Sequence, residues 1–99
     1  MRAITPGHKY ELDNFEHPHE QTNQRLQFIE KDAAMVTIND GTTNEEVLEM
    51  LIDRLRYLSD RLPCRETSIA ITKCEEALLW LHKRTADREA RGVEGTNEA

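Results

Sequence analysis

Ninety-nine residues with a formal net charge of -6 make one small domain at most. The acidic balance argues against non-specific binding to DNA, RNA or an anionic membrane surface. No apolar run approaches membrane-spanning length, and the start lacks the charged and apolar regions of a signal peptide.

With 37% hydrophobic and 32% charged residues, the chain is soluble but thinly supplied with core. A unit of this size buries a modest fraction of its surface. Two or three helices would then need partners from other copies, so a homo-oligomer is expected. Cys64 and Cys74 read as two reduced thiols in a cytosolic chain, Cys74 as a small core residue.

Residues 1 to 21 hold Pro6, Gly7, Pro18 and three of the four His, with few periodic apolar positions, and read as an extended, irregular arm. The triplet His17-Pro18-His19 invites a metal reading. Yet no Cys accompanies it, Pro18 holds the local backbone extended, and a structural site needs four ligands, so these are read as loop residues. Residues 22 to 34 read as a short helix, with Leu26, Phe28, Ile29 and Ala33 on one side and Asn23 as a cap. Lys31 near its end reads as a solvated lysine. Val36, Thr37 and Ile38 then favour extended structure, and Asn39-Asp40-Gly41 is turn chemistry.

A capping box follows at Thr43-Asn44-Glu45-Glu46, with Thr42 and Glu45 offering the same one residue earlier. The helix it opens runs through Val47, Leu48, Leu51, Ile52, Leu55, Leu58 and Leu62, and is roughly 30 Å long. Leu62-Pro63-Cys64 is too short a break to send the next helix anywhere but back, which gives an antiparallel hairpin. In the second arm Ile71, Cys74, Leu78 and Leu81 form an apolar stripe, and Lys83 and Arg84 suit a helix end near Arg84. The whole reads as an all-α protein: a short N-terminal helix, then a long antiparallel helical hairpin, assembling as a homo-oligomer. Residues 1–41 are the arm, short helix and extended connector, 42–88 the hairpin, and 89–99 a disordered tail.

Catalytic chemistry finds little support. The four glycines are isolated, there is no nucleophile elbow, and carboxylate pairs lie on exposed helical faces. His8, His17 and His19 have no rigid support for acid-base work. An enzyme is not expected, and no cofactor is implied. Arg65, Ser68 and Thr72 stand three and four apart at the start of the second hairpin helix, where an anion is favoured. Arg holds phosphate bidentately, and hydroxyls donate to phosphate or base edges. Spacing alone leaves the plainer alternative open: early-helix residues, with Arg65 paired to Glu66 or Asp60.

The run Arg65-Glu66-Thr67-Ser68-Ile69-Ala70-Ile71-Thr72-Lys73-Cys74-Glu75-Glu76-Ala77-Leu78-Leu79-Trp80 resembles the helical hairpin of phage cyclic-nucleotide sponges. That family includes anti-CBASS sponges and, by a shared hairpin, a group of anti-Thoeris sponges. Cys74 stands where the family usually has Leu. Phe15-Glu16-His17-Pro18 is similar, more loosely, to the aromatic/His-Pro entry of the family's N-terminal arm.

The resemblance implies a homo-oligomer, a hexamer, in the host cytoplasm, that traps cyclic di- or trinucleotides and releases them intact. Phe15 or His17 would stack on a base, Lys31 would meet phosphate late in the first helix, and Arg65, Ser68 and Thr72 would line the hairpin side. The segment from Val36 to Glu46 looks like an insertion closer to the anti-Thoeris branch. Ligand class therefore stays open between cyclic dinucleotide, cyclic trinucleotide and a cyclic ADP-ribose-type signal. The alternative without a nucleotide is a helical-hairpin interaction protein.

Overall fold

The computed structural model describes residues 1–18 and 23–92. It divides into two compact units, Met1–Thr43 and Asn44–Ala99.

The N-terminal unit carries the main correction to the all-α expectation. Strands β1 (Arg2–Thr5), β2 (Lys9–Leu12) and β3 (Gln24–Gln27) form an antiparallel sheet in that order, and β4 (Glu30–Lys31) pairs with β5 (Thr37–Asn39). Residues 1 to 12, expected to be irregular, make a hairpin. Thr5-Pro6-Gly7-His8 is its turn: the His8 N–H donates to the Thr5 carbonyl at 2.9 Å, and Gly7 has φ of 80°. Proline second and a positive-φ glycine third is type II turn chemistry.

The helix expected over 22–34 does not form either. Its apolar residues are used at the period of a strand. Leu26 faces Tyr10 across the β2–β3 ladder, and the Phe28 ring meets Tyr10 edge-on at 5.9 Å. A short apolar run suits helix or strand equally, and the neighbour available in the fold decides between them. Here β2 needed a partner strand. The opposite face of the sheet is polar, with Glu11 between Arg2 at 3.5 Å and Arg25 at 3.8 Å.

Two tight points fix the rest of this unit. A Cβ on Gly41 would collide with the Gln27 carbonyl oxygen and lie 2.7 Å from the Phe28 carbonyl carbon. The close approach lets the Thr42 N–H donate to Gln27 and the Ile29 N–H to Thr42, each at 2.9 Å. At the β4–β5 turn, the Asp32 carboxylate accepts from the N–H groups of Ala34 at 2.9 Å and Val36 at 3.0 Å. That turn forces Met35 to φ of 62°, in the left-handed region.

The second unit is the expected antiparallel hairpin, α1 (Asn44–Arg61) and α2 (Arg65–Ala90). Helix α1 opens with Thr43 at the cap position and with Glu45 and Glu46 in its first turn, where the helix dipole favours them. Helix α2 runs beyond the end expected near Arg84, so residues 89 and 90 of the expected tail are helical. Residues 93–99 of that tail, like His19, lie outside the described residues.

The seam uses less of the sequence than its apolar content suggests. Leu48, Ile52 and Leu55 of α1 turn inward, as do Thr67, Ile71, Cys74, Leu78, Leu81 and Thr85 of α2. Alternating three- and four-residue spacings give a narrow coiled-coil-like contact. Only Ile52, at 5% exposure, is an apolar residue buried among the described ones. Leu51, Leu58 and Leu62, expected in the same stripe, remain exposed, Leu62 at 79%. An ion pair between Arg56 and Glu75 at 2.7 Å ties the helices from outside. No helix is long and apolar enough to cross a membrane among the described residues.

Candidate functional site

The six candidate residues fall three in each unit. Phe15 and His17 lie in the loop that leaves β2, and both are exposed. The base of that loop is clamped. Asn23, buried among polar groups, accepts from the Asn14 N–H at 3.1 Å and donates to the Asp13 carboxylate at 3.4 Å. The N-terminal ammonium also reaches Asp13, at 3.3 Å.

Above this base the Phe15 ring is 100% exposed. Burying a Phe side chain is worth about 1.5–3 kcal/mol, and none of that is realised here within the chain. A flat apolar ring beside this held base is therefore free to stack on a planar ligand.

Lys31 is not late in a helix. It is the second residue of β4, opposite Thr37, and it is exposed. The helical setting expected for it is overturned by the strand pairing. It takes part in none of the ion pairs of the described residues.

Arg65, Ser68 and Thr72 come together on one exposed face of α2. Cys64 caps the helix with extended φ and ψ, so Arg65 is its first residue, in the field of the helix start. The pairing of Arg65 with Glu66 or Asp60 is absent among the described ion pairs, which leaves the guanidinium to solvent. The hydroxyls are otherwise engaged. Ser68 donates to the Cys64 carbonyl at 3.1 Å and Thr72 to the Ser68 carbonyl at 3.2 Å. Both retain lone pairs, and each needs only a χ1 rotation to donate outward.

Next to this set, the Thr67 hydroxyl lies 3.0 Å from Cys64 Sγ. Hydrogen bonding from Thr67 lowers the pKa of the Cys64 thiol, against smaller opposing effects of desolvation and of the Glu66 charge.

A groove between the two helices of the hairpin lies elsewhere. It is about 410 Å³, lined by Glu49, Asp53, Glu75 and His82 with Ile52, Leu78 and Leu79, and its one arginine, Arg56, is already paired with Glu75. Three carboxylates repel a phosphate, so the anion-compatible surface is the start of α2.

The sequence reading missed Asn23 as a clamp, having taken it for a helix cap, and it missed the exposure of Leu79 and Trp80. Leu79 and Trp80 fall outside the stripe of Ile71, Cys74, Leu78 and Leu81, and that offset is the signal.

The model of the Acb2/Tad1 hairpin domain matches residues 18–86. The chain belongs to this family. The match covers α1 and α2 as far as residue 86 and reaches back through β5, β4 and β3. Among curated proteins the chain is similar to Thoeris anti-defense 1 of Bacillus phage SBSphiJ7, 57% identical over 60 residues. That alignment takes in 60% of this chain and 42% of the relative, so the chain spans less than half of the relative's length.

Proposed function

We propose that this protein is a phage anti-defence sponge: a non-catalytic homo-oligomer in the host cytoplasm that binds a cyclic nucleotide immune signal and holds it intact. The observation that carries the reading is family membership over 18–86, where Arg65, Ser68 and Thr72 share one exposed face of α2. The fully exposed Phe15 ring supports it from the N-terminal unit. A cyclic nucleotide has phosphates for a guanidinium and hydroxyls, and flat bases for an aromatic ring. Phe15 or His17 stacks on a base, and Lys31, Arg65, Ser68 and Thr72 meet phosphate or sugar.

Sequestration requires affinity and no turnover. A dissociation constant near 1 nM corresponds to about -12 kcal/mol, which a few charge-assisted hydrogen bonds and stacked bases can supply once the site is pre-organised.

Two ligand classes share this chemistry. Similarity to a Thoeris anti-defence protein favours a cyclic ADP-ribose-type signal. The resemblance of the Arg65–Trp80 run to anti-CBASS sponges supports a cyclic dinucleotide such as cGAMP, or a cyclic trinucleotide.

Calorimetry with cyclic di- and trinucleotides and cyclic ADP-ribose isomers decides between them, and the absence of binding by all of them defeats the proposal. Recovery of unaltered ligand after denaturation is expected of a sponge; a converted product would make it an enzyme. Arg65→Ala is expected to weaken the bound ligand by 10- to 100-fold, about 1.4–2.8 kcal/mol, with helix content by circular dichroism unchanged.

A further inference from the structure

The groove between the hairpin helices joins an apolar floor to an acidic wall. Helix α1 contributes Glu49, Asp53 and Arg56, and α2 contributes Glu75, Leu79 and His82, each set at the four- and three-residue spacing of one helix face. The ion pair of Arg56 with Glu75, at 2.7 Å, closes the end nearer the turn. Two turns further on, about 10 Å away, Glu49 and His82 mark the other end. Ile52 and Leu78 form the floor, and Leu79 beside them keeps 68% of its surface exposed.

Glu49 and Asp53 set the character of this groove. Both are exposed, and they take part in none of the ion pairs of the described residues. Like charges four apart on a helix destabilise it, and a cation set between them relieves the repulsion.

We propose that this groove docks a cationic amphipathic helix of another protein. Its apolar stripe would rest on Ile52, Leu78 and Leu79, and two Arg or Lys one turn apart would meet Glu49 and Asp53. Two antiparallel helices present ridges between which the ridge of a third helix fits, the geometry of a bundle and of helix-in-groove recognition. The charges select the sign of the partner. The walls hold three carboxylates against one arginine, and Glu75 already engages that arginine. An acidic helix would be repelled, and an uncharged one would leave two carboxylates desolvated against it. The groove lies further along α2 than Arg65, Ser68 and Thr72, so the inference goes beyond the sponge reading and does not depend on its ligand.

Fluorescence anisotropy of the full chain with a labelled peptide tests it. The probe is three repeats of Leu-Ala-Arg-Leu-Ala-Ala-Arg, and its counterpart carries Glu at every Arg. The Arg peptide is expected to bind and the Glu peptide not to, with affinity falling as salt rises. Glu49→Gln with Asp53→Asn should weaken the Arg peptide about tenfold, and Leu79→Ser by a similar factor, with helix content by circular dichroism unchanged. Asp60→Asn with Glu89→Gln changes net charge as much but lies outside the groove, and should leave the affinity unmoved. Glu49→Lys with Asp53→Lys should reverse the preference to the Glu peptide.

Failure of the Arg peptide to bind overturns the proposal. So does an equal loss in the Asp60 and Glu89 control, which would make the attraction one of net charge alone. Equal competition by free arginine amide would make this a small-cation site and overturn the helix. A change in sedimentation of the chain by itself on Glu49→Gln with Asp53→Asn would assign the groove to a contact between copies, and the proposal would fall.

Discussion

In the helical hairpin, the residues that touch are set by a repeat three and four apart along each helix, and a single short turn at Leu62-Pro63-Cys64 brings the two stripes together. In the N-terminal unit, Lys9 pairs with Gln27 and Phe28 bridges to Thr42, far apart in the chain. The hairpin therefore spreads its stability over many equivalent half-buried contacts. The sheet unit concentrates it at a few points where backbone meets backbone. A seam tolerates repacking; a collision between main chains does not.

The sharpest way to break that contrast is Gly41→Ala. The added methyl would meet the Gln27 carbonyl oxygen, and its displacement opens the Thr42–Gln27 and Ile29–Thr42 hydrogen bonds. We expect a loss of about 3 kcal/mol confined to the N-terminal unit. Amide exchange should accelerate at Ile29 and Thr42 and stay unchanged through α1 and α2. Uniform loss of protection in both units would show that they do not behave separately.

Ile52→Ala probes the other side. Ile52 is the most buried apolar residue described, but its surroundings are half-exposed and can collapse around a smaller side chain. The expected cost is about 2 kcal/mol, at the low end for a buried Ile, read from thermal unfolding followed at helical wavelengths. A cost above about 4 kcal/mol would mean the seam is packed more tightly than its exposure indicates.

Met35→Gly should move stability the other way. Its φ of 62° is unfavourable for a side chain and ordinary for glycine, so relief of roughly 1 kcal/mol is expected in the β4–β5 turn. Part of that is offset by the greater freedom of glycine in the unfolded chain. A net destabilisation in chemical denaturation would show that contacts of the Met35 side chain outweigh the strain.

The smallest effect is chemical. Hydrogen bonding from Thr67 favours the Cys64 thiolate, so the folded-state pKa lies below the unfolded one. The associated stability is present above the unfolded pKa and fades as pH falls through the folded value. Alkylation of Cys64 by iodoacetamide should accordingly rise at lower pH in the wild type than in Thr67→Val. Superimposable rate profiles would remove Thr67 as the cause.

The difference between the units also explains what the sequence disclosed. Helix content, the break at Pro63, the capping acids at Glu45 and Glu46 and the inward set Ile71, Cys74, Leu78 and Leu81 are local properties, since a helix is stabilised by residues within four of one another. So was the clustering of Arg65, Ser68 and Thr72, fixed as soon as α2 is a helix.

The strands were not legible in this way. Leu26, Phe28 and Ile29 suit a helix face or a strand face, and Tyr10 on β2 decided between them from sixteen residues away. The sequence by itself therefore determined the hairpin and the grouping of its polar start. Only the tertiary structure decided the sheet, the strand setting of Lys31, the clamped loop that holds Phe15 out, and which leucines stay in solvent. Those depend on the partner a segment meets, and a partner distant in the chain leaves no period of its own to read.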